Sequence, residues 1–209
     1  MKVLIVDDHE YTRAGVIRIL TDNFPITKFA QAGNYEDAVE QVKNGKWDTI
    51  ILDINLPGRG GFEVLNSIRM IKPKIPVLIL SMVPVSQYVR RVFNAGVPGY
   101  ITKSEPAEEM VKAFRRVSKG LKYFSPEVQQ EIPVVTDESV ERPKFHDLTD
   151  REFAILQMVG EGKSSKEIAC KYKLSVNTIN SHRKRIMKKI NARTNLELLK
   201  YAYEHRIVE

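Results

Sequence analysis

Val3-Leu4-Ile5-Val6-Asp7-Asp8 is the stretch of sequence that decides the fold, because a short apolar run ends there in two adjacent carboxylates. Four consecutive β-forming residues suit a strand that is buried on both faces, as the strands of a parallel sheet are. Ligands of open α/β sheets bind at the carboxyl ends of such strands. Two like charges at that end are unfavourable unless a cation lies beside them. The stretch therefore predicts a buried parallel strand that leads into a cation-binding site.

Similar apolar runs recur through the first 120 residues and alternate with segments of helical spacing. The further strand candidates are Ile26–Ala30, which is the weaker one, and Thr49–Leu52, Val77–Leu80 and Gly99–Thr102. The helix candidates are Tyr11–Leu20, Glu36–Lys43, Gly61–Ile71, Ser86–Ala95 and Ala107–Lys119. Strands that alternate with helices form a parallel sheet with helices on both faces. We therefore predict a doubly wound α/β domain with a five-stranded parallel sheet for residues 1–120.

The alternation stops after residue 120. Ser125-Pro126-Glu127 is typical of a helix start, with a serine cap and a proline in the first turn, and a short helix can follow it. Residues 121–146 otherwise contain prolines, charges and little periodicity, which predicts a linker.

Residues 147–209 have helical spacing throughout and are predicted to form a separate four-helix domain. Its first helix begins with a capping box of Thr149 and Glu152. The other three helices are predicted at about Ser165–Tyr172, Ser175 or Val176 to Ile190, and Leu196–Tyr203. A short helix, a turn and a longer basic helix have the spacing of a helix-turn-helix.

Polar and charged side chains follow the strongly predicted strands of the first domain. In chain order they are Asp7 and Asp8, then Asp53, Ser81 and Lys103. The carboxyl ends of parallel strands share one edge of the sheet, so these side chains should converge. Three neighbouring carboxylates repel one another, and a hard divalent ion such as Mg2+, which prefers oxygen ligands, relieves that repulsion. A carboxylate beside a metal and a lysine can attack phosphorus, because both cations neutralise charge on the transferring oxygens.

The first 120 residues resemble the receiver domain of bacterial two-component response regulators. The matching residues are Asp7, Asp8, Asp53 with the following Ile54-Asn55-Leu56-Pro57-Gly58, Ser81, and Gly99-Tyr100-Ile101-Thr102-Lys103. The resemblance implies that Asp53 accepts a phosphoryl group from a histidine kinase. It implies Mg2+ ligands in Asp8, Asp53 and the backbone carbonyl of Asn55, with Asp7 acting through water. By the same resemblance Ser81 and Lys103 bind phosphate oxygens, and Tyr100 reports the phosphorylated state by rotating inward.

A basic segment in the second domain indicates a polyanionic partner. The segment from Thr178 to Asn195 contains six lysines and arginines and no acid. The domain resembles the LuxR-type helix-turn-helix of the NarL/FixJ subfamily, which binds double-stranded promoter DNA. The motifs that carry this resemblance are Leu148-Thr149-x-Arg151-Glu152, Gly162-Lys163-Ser164-Ser165-Lys166-Glu167-Ile168-Ala169, Leu174-Ser175-Val176-x-Thr178-Ile179 and His182-Arg183-x-x-Ile186-x-x-Lys189-Ile190.

Helical geometry sorts the side chains of the basic helix into three sets. Ile179, Ile186 and Ile190 form one apolar stripe that faces the other helices. The candidates for contacts with base edges are Asn177, Asn180, Ser181 and Lys184. The candidates for contacts with phosphates are Lys166, Thr178, His182, Arg183 and Lys188.

The two halves together predict a DNA-binding transcriptional response regulator rather than a metabolic enzyme. Phosphorylation of Asp53 is expected to favour dimerisation and promoter binding, with the last helix as a candidate for dimer contacts. The partners implied by the resemblance are a histidine kinase, promoter DNA, a second copy of the chain and RNA polymerase. No apolar run approaches the roughly 18 residues of a membrane span. With Cys170 as the single cysteine, this predicts a cytoplasmic protein.

Two other functions agree with part of the sequence. An aspartyl phosphatase of the haloacid-dehalogenase type usually has a general-acid aspartate two residues after its nucleophile, where this sequence has Asn55, which cannot donate a proton in that way. A constitutive DNA-binding protein with a vestigial receiver is the other alternative. The complete set of acidic residues argues against it.

Overall fold

The computed structural model describes residues 1–56, 60–82, 92, 95–126, 128–129, 143–172, 174–205 and 207–208. The chain divides into two compact units, Met1–Glu138 and Ser139–Glu209. Each unit has buried apolar residues of its own, and the two are described separately.

A parallel sheet forms the centre of the first unit. Its described strands are β1 (Lys2–Val6), β2 (Lys28–Ala32), β3 (Thr49–Leu52), β4 (Val77–Ser81), β5 (Gly99–Thr102) and β6 (Tyr123–Phe124). Their spatial order is β2-β1-β3-β4-β5-β6, and each neighbouring pair is parallel. The strands β3, β4 and β5 are buried along their whole length, and β1 is buried after its first residue. This agrees with the unbroken apolar runs of the sequence.

Four described helices pack against this sheet: α1 (Glu10–Asn23), α2 (Tyr35–Asn44), α3 (Gly61–Ile71) and α4 (Ala107–Val117). One core cluster joins α1 and α4 to alternate residues of the strands, among them Val3, Ile5 and Ile101. The rings of Phe24 and Phe114 meet edge to face there, with centroids 4.8 Å apart. The helix predicted at Ser86–Ala95 lies largely outside the described residues.

The sheet has six described strands where the sequence predicted five. β6 pairs Tyr123 with Gly99 and Phe124 with Tyr100 of β5, within the region predicted to be linker. A strand of two residues has no alternation to recognise, so only its tertiary pairing reveals it. The helical turn predicted after Ser125 is described in part, with the backbone N–H of Gln129 donating to the Ser125 carbonyl at 2.9 Å.

The described elements of the second unit are helical, as predicted. A 3-10 turn at Lys144–Asp147 precedes α5 (Asp150–Gly160), α6 (Ser165–Tyr172), α7 (Val176–Ile190) and α8 (Asn195–Glu204). The predicted capping box is present: Glu152 N–H donates to Thr149 Oγ1 at 3.3 Å, and Thr149 N–H donates to Glu152 Oε2 at 2.8 Å. α7 ends at Ile190, and the next residue, Asn191, has a left-handed φ of 62°, a conformation that asparagine tolerates. No helix in the described part of the chain is both long enough and apolar enough to cross a membrane.

Candidate functional sites

The sheet brings the predicted acidic residues to one edge. The backbone N–H of Asp7 donates to Ala32 at 3.0 Å, and that of Asp53 donates to Val6 at 2.8 Å, so inter-strand hydrogen bonds fix both main chains. Each of these two aspartates is only 2% exposed. Asp8, the next residue, is exposed to solvent. The edge therefore presents two buried carboxylates and one exposed carboxylate, and the positions of β1 and β3 predicted that the three would lie together.

Lys103 links the two buried carboxylates. Its Nζ lies 2.6 Å from Asp53 Oδ2 and 2.7 Å from Asp7 Oδ2, and its own side chain is 7% exposed. Its backbone N–H donates to the Ser81 carbonyl at 2.8 Å, which fixes the start of the side chain against β4. Burial disfavours the ammonium, but the hydrogen bonds and charges of Asp53 and Asp7 outweigh burial and raise the pKa of Lys103.

Asp53 is held in an environment that favours its protonated form. Burial raises the pKa of Asp53 above its ordinary range, and this effect exceeds the opposing hydrogen bonds. Those hydrogen bonds come from the backbone N–H of Asn55, 2.9 Å from Oδ1, and from Lys103. The carboxylate thus carries a desolvation cost that a further cation would offset.

His9 also lies at this edge, a role that its position in the sequence did not predict. Its Nδ1 lies 3.2 Å from Asp7 Oδ1 and 3.1 Å from Asp8 Oδ1. Ligand atoms of Asp7, Asp8, His9 and Asp53 all lie within 4.8 Å of one another. Three carboxylates that share one edge fit the oxygen preference of Mg2+. The sequence shows that His9 follows Asp8, but it does not show where the imidazole points, because that depends on how α1 begins.

Gly61 shapes the site, a role that the sequence pattern did not predict. A Cβ at this first residue of α3 would lie 2.3 Å from the Asp53 carbonyl oxygen and 2.5 Å from Ile54 Cα. The absence of a side chain therefore lets α3 start directly against the main chain of the acidic residue. The signal in the sequence was the Gly60-Gly61 pair, which stands where a polar helix cap is usual.

Ser81 and Tyr100 occupy the predicted strands and are both fully buried. Ser81 ends β4 and pairs with Thr102 of β5, one residue before Lys103. Tyr100 lies two residues earlier on β5, and its side chain points into the protein. The predicted switch and phosphate-binding residues therefore lie on two adjacent strands at the acidic edge.

The basic helix α7 presents the predicted separation between an apolar and a polar face. Ile179 and Ile186 are fully buried, and Ile190 is 5% exposed. The exposed members of the predicted DNA-binding set are Lys166 of α6 and Asn177, Asn180, Ser181, Lys184 and Lys188 of α7. Thr178, His182 and Arg183 are half-buried. All four candidates for base contacts are thus exposed.

Several predicted DNA-binding side chains also make contacts within the domain. Ser181 Oγ donates to the Asn177 carbonyl at 2.9 Å. The guanidinium of Arg183 donates to Ser165 Oγ and to Asn195 Oδ1, both at 2.9 Å. Since those two residues begin α6 and α8, Arg183 ties three helices together. Sequence periodicity alone does not reveal this structural contribution.

The surroundings of His182 favour the neutral imidazole. Burial lowers its pKa, and the charges of Arg151 and Arg185 lower it further. Its Nδ1 is buried and has no hydrogen-bond partner in the described part of the protein. A neutral ring can contact a phosphate only through an N–H group and supplies no positive charge.

Lys189 stabilises the domain and is not free to hold DNA. Its Nζ lies 2.6 Å from Glu152 Oε2 and 3.1 Å from the Asp147 carbonyl oxygen. Burial raises the pKa of Glu152, but the hydrogen bonds of Lys189 and Thr149 outweigh it and lower that pKa overall. The helix that carries the DNA-binding candidates is therefore joined by an ion pair to the capping box of α5.

The first unit thus has an acidic site with a buried lysine at one edge of a doubly wound sheet, and the second unit has a helix-turn-helix. Together these features define a class of protein. Residues 3–115 match the family model described as "Response regulator receiver domain". Residues 146–202 match the model described as "Bacterial regulatory proteins, luxR family". The chain is 32% identical to the response regulator GacA of Pseudomonas aeruginosa, over 100% of this chain and 98% of GacA. It is 33% identical to the response regulator UvrY of Escherichia coli, over 98% of this chain and 94% of UvrY.

The chain therefore belongs to the two-component response regulators that join a receiver domain to a LuxR-type DNA-binding domain. Its family is one of transcription regulators rather than metabolic enzymes, as the sequence predicted. The fold is similar to that of RcsB from Salmonella enterica serovar Typhimurium, solved bound to the promoter rprA in the presence of the phosphomimetic BeF3−. That similarity has a TM-score of 0.68 at 22% identity and covers 97% of this chain and 98% of that chain.

Proposed function

We propose that Asp53 accepts a phosphoryl group from a histidine kinase and that its phosphorylation controls binding of α7 to promoter DNA. One observation supports this most directly: the buried Asp53 carboxylate lies 2.6 Å from Lys103 at the edge that also carries Asp7 and Asp8. A carboxylate with an ammonium at this distance is arranged for phosphoryl transfer, which depends on positioning and on neutralising charge.

Asp53, Asp8 and the backbone carbonyl of Asn55 are the proposed ligands of Mg2+, with Asp7 acting through water. The bound ion would supply positive charge beside the transferring oxygens. In the proposed step an Asp53 oxygen forms a bond to phosphorus as the bond between phosphorus and the kinase histidine breaks. Lys103 stabilises the charge that develops on the phosphoryl oxygens, because its ammonium is held within contact distance of Asp53.

The phosphorylated site would then reorganise. The phosphoryl group is bonded to an oxygen of Asp53, which then no longer pairs with Lys103. The Lys103 ammonium therefore turns to the phosphoryl oxygens, and Ser81 approaches them. Tyr100, already buried on β5, is the proposed reporter of that change. The consequence we propose is a rearrangement of the β4 and β5 surfaces that releases the DNA-binding unit and favours a homodimer.

The proposed output is recognition of double-stranded DNA by a dimer. RcsB, which shares the fold, is solved as two dimers bound to two parallel DNAs, which supports this proposal. A two-fold dimer sets recognition helices about 34 Å apart along one face of the duplex. The exposed Leu196 and Tyr203 of α8 are candidates for dimer contacts. Action on promoter DNA would place the protein in the cytoplasm, with RNA polymerase as the proposed partner for its effect on transcription.

Electrophoresis in Phos-tag gels with acetyl phosphate as the phosphodonor tests the phosphoacceptor role. Wild-type protein is expected to show a shifted band that requires Mg2+, and Asp53→Ala is expected to show none. Asp48→Ala, which changes an exposed aspartate remote from the site, serves as the matched control and should shift like wild type. A shifted band of equal intensity in Asp53→Ala would overturn the assignment.

A further inference from the structure

The sixth strand, β6, is a second neighbour of β5, the strand that carries the proposed switch residue Tyr100. β5 pairs with β4 on one side and with β6 on the other, where Tyr100 is opposite Phe124. The backbone N–H of Tyr123 also donates to the Pro98 carbonyl at 2.8 Å, just before β5 begins. The strand that carries Tyr100 and leads into Lys103 is therefore hydrogen-bonded to the segment that continues toward the DNA-binding unit.

Side-chain contacts hold β6 in place. The Tyr123 hydroxyl donates to the carboxylate of Glu109, which lies in the first turn of α4. Arg116, near the end of the same helix, donates from Nε to the Lys122 carbonyl at 3.1 Å. Burial and the neighbouring Glu109 raise the pKa of Tyr123, so the phenol keeps the proton that it donates. A strand of two residues gains little from its own pairing, so its position depends on such anchors.

The residues after β6 also fold onto the first unit. Phe124 is 9% exposed and Val128 is fully buried. Gln129 donates from its backbone N–H to the Ser125 carbonyl at 2.9 Å and from Nε2 to the Phe124 carbonyl at 2.7 Å. A displacement of β6 therefore moves the following helical turn with it.

We propose that Tyr123 is a positioning residue that couples the state of Asp53 to the chain leading into the DNA-binding unit. This inference rests on the proposed function. When Lys103 turns from Asp53 to a phosphoryl oxygen, the four-residue strand β5 before it must adjust. The hydrogen bond from Tyr123 to Glu109 keeps β6 paired with β5, so residues 122–129 follow that adjustment. Without this hydrogen bond the pairing of β6 with β5 is weaker, and residues 122–129 no longer follow the adjustment of β5.

The test compares Tyr123→Phe with wild type in the full chain. DNA affinity is measured by fluorescence anisotropy on a bound genomic fragment, with Mg2+ and with or without BeF3−. The ratio of interest is the DNA affinity with BeF3− divided by the DNA affinity without it. This ratio is expected to be about tenfold or more in wild type and less than about twofold in the variant. Tyr35→Phe is the matched control, because it removes a hydroxyl that contacts Ser67 Oγ at 2.9 Å in the same unit, away from β6. It should retain the wild-type ratio.

Hydrogen–deuterium exchange supplies a readout that does not depend on DNA. In wild type, BeF3− is expected to change exchange in residues 98–103 and 121–129 together. In Tyr123→Phe, exchange of 121–129 should be about fivefold faster, as for the loss of one hydrogen bond, and only residues 98–103 should respond to BeF3−.

Variants of Glu109 separate the hydrogen bond from the ion pair with Lys112, whose Nζ lies 2.6 Å from Glu109 Oε1. Glu109→Gln keeps an acceptor for Tyr123 and should retain the ratio of affinities, whereas Glu109→Ala should lose it. Lys112→Ala should match wild type.

Two results would overturn the coupling role. If wild type responds to BeF3− and Tyr123→Phe responds equally, the coupling role alone is wrong. If wild type shows no response, both this role and the proposed function fail.

Discussion

Lys103 Nζ lies 2.6 Å from Asp53 Oδ2, and the two side chains are 7% and 1% exposed. Removing Lys103 is costly, because it leaves two buried carboxylates without their shared cation, whereas Lys103 keeps Asp7 as a partner when Asp53 loses its charge. Lys103 Nζ also lies 2.7 Å from Asp7 Oδ2, so one ammonium contacts both buried aspartates.

Lys103→Met is therefore expected to lower the free energy of unfolding by about 3 kcal/mol, since Asp7 and Asp53 lose their shared partner. Urea titration followed by fluorescence measures this in the first unit, because Trp47 is the single tryptophan of the chain. Lys112→Met is the control. The Lys112 side chain is 62% exposed in its ion pair with Glu109, so this substitution should hardly change the free energy of unfolding. Equal stability of Lys103→Met and wild type would contradict a buried ion pair.

The raised pKa of Asp53 predicts how stability depends on pH. Between the ordinary value of 3.8 and the higher pKa of the folded state, the native protein binds more protons than the unfolded chain. The contribution of Asp53 to stability therefore decreases as pH rises through that window. Lys103 does not alter this trend, because its raised pKa contributes a constant stabilisation below pH 10.5, which is lost only as pH rises above that value.

Asp53→Asn is accordingly expected to be more stable than wild type at pH 7, with a difference that shrinks as pH falls toward 3.8. Urea titrations without Mg2+ over this pH range measure the effect. Asp22→Asn, at an exposed position that pairs with Arg18, should show no such trend. A wild type that is the more stable protein at pH 7 would show that the charge of Asp53 is favourable in the folded state.

Gly61→Ala tests the close approach of α3 to the acidic site. The added Cβ must displace the main chain at Asp53 or Ile54, so we expect a loss of about 1–3 kcal/mol of stability and slower phosphorylation by acetyl phosphate. Gly15→Ala is the matched control, because nothing lies within 4 Å of its added Cβ and the residue is inside a helix. That variant should be more stable than wild type by about 0.5–1 kcal/mol. Similar phosphorylation rates in both variants would disprove the constraint.

The exposed side chains of α7 are expected to differ in their effects on DNA binding. Asn180→Ala should reduce affinity for the bound sequence by about 1–3 kcal/mol and relax discrimination at one base pair. Lys188→Ala should weaken binding to all sequences and lower the salt slope by about one. Binding isotherms on specific and unrelated fragments at several salt concentrations distinguish the two. Interchanged results would reverse our assignment of base and phosphate contacts.

The sheet and the acidic edge were predictable because their signals are local. The apolar runs of β1, β3, β4 and β5 are unbroken, and each ends next to a polar residue that topology carries to one edge. β2 was predicted at Ile26–Ala30 and observed at Lys28–Ala32, because its pairing with β1 matches Lys28 to Lys2 and the run itself is only partly buried.

The remaining features depend on contacts between residues far apart in sequence. β6 exists because Tyr123 and Phe124 pair with β5 and because Tyr123 contacts Glu109 of α4. The contacts of Arg183 with Ser165 and Asn195 arise from the packing of three helices. Neither leaves a periodic pattern in the sequence, so neither can be derived before the elements are assembled.

The most direct test of the central claim measures DNA affinity with and without acetyl phosphate in wild type and in Asp53→Ala. Wild type is predicted to bind a selected genomic fragment about tenfold or more tightly after treatment. Asp53→Ala is predicted to bind as untreated wild type does under both conditions. An equal gain in affinity in Asp53→Ala, or no gain in wild type, would contradict control of DNA binding by phosphorylation of Asp53.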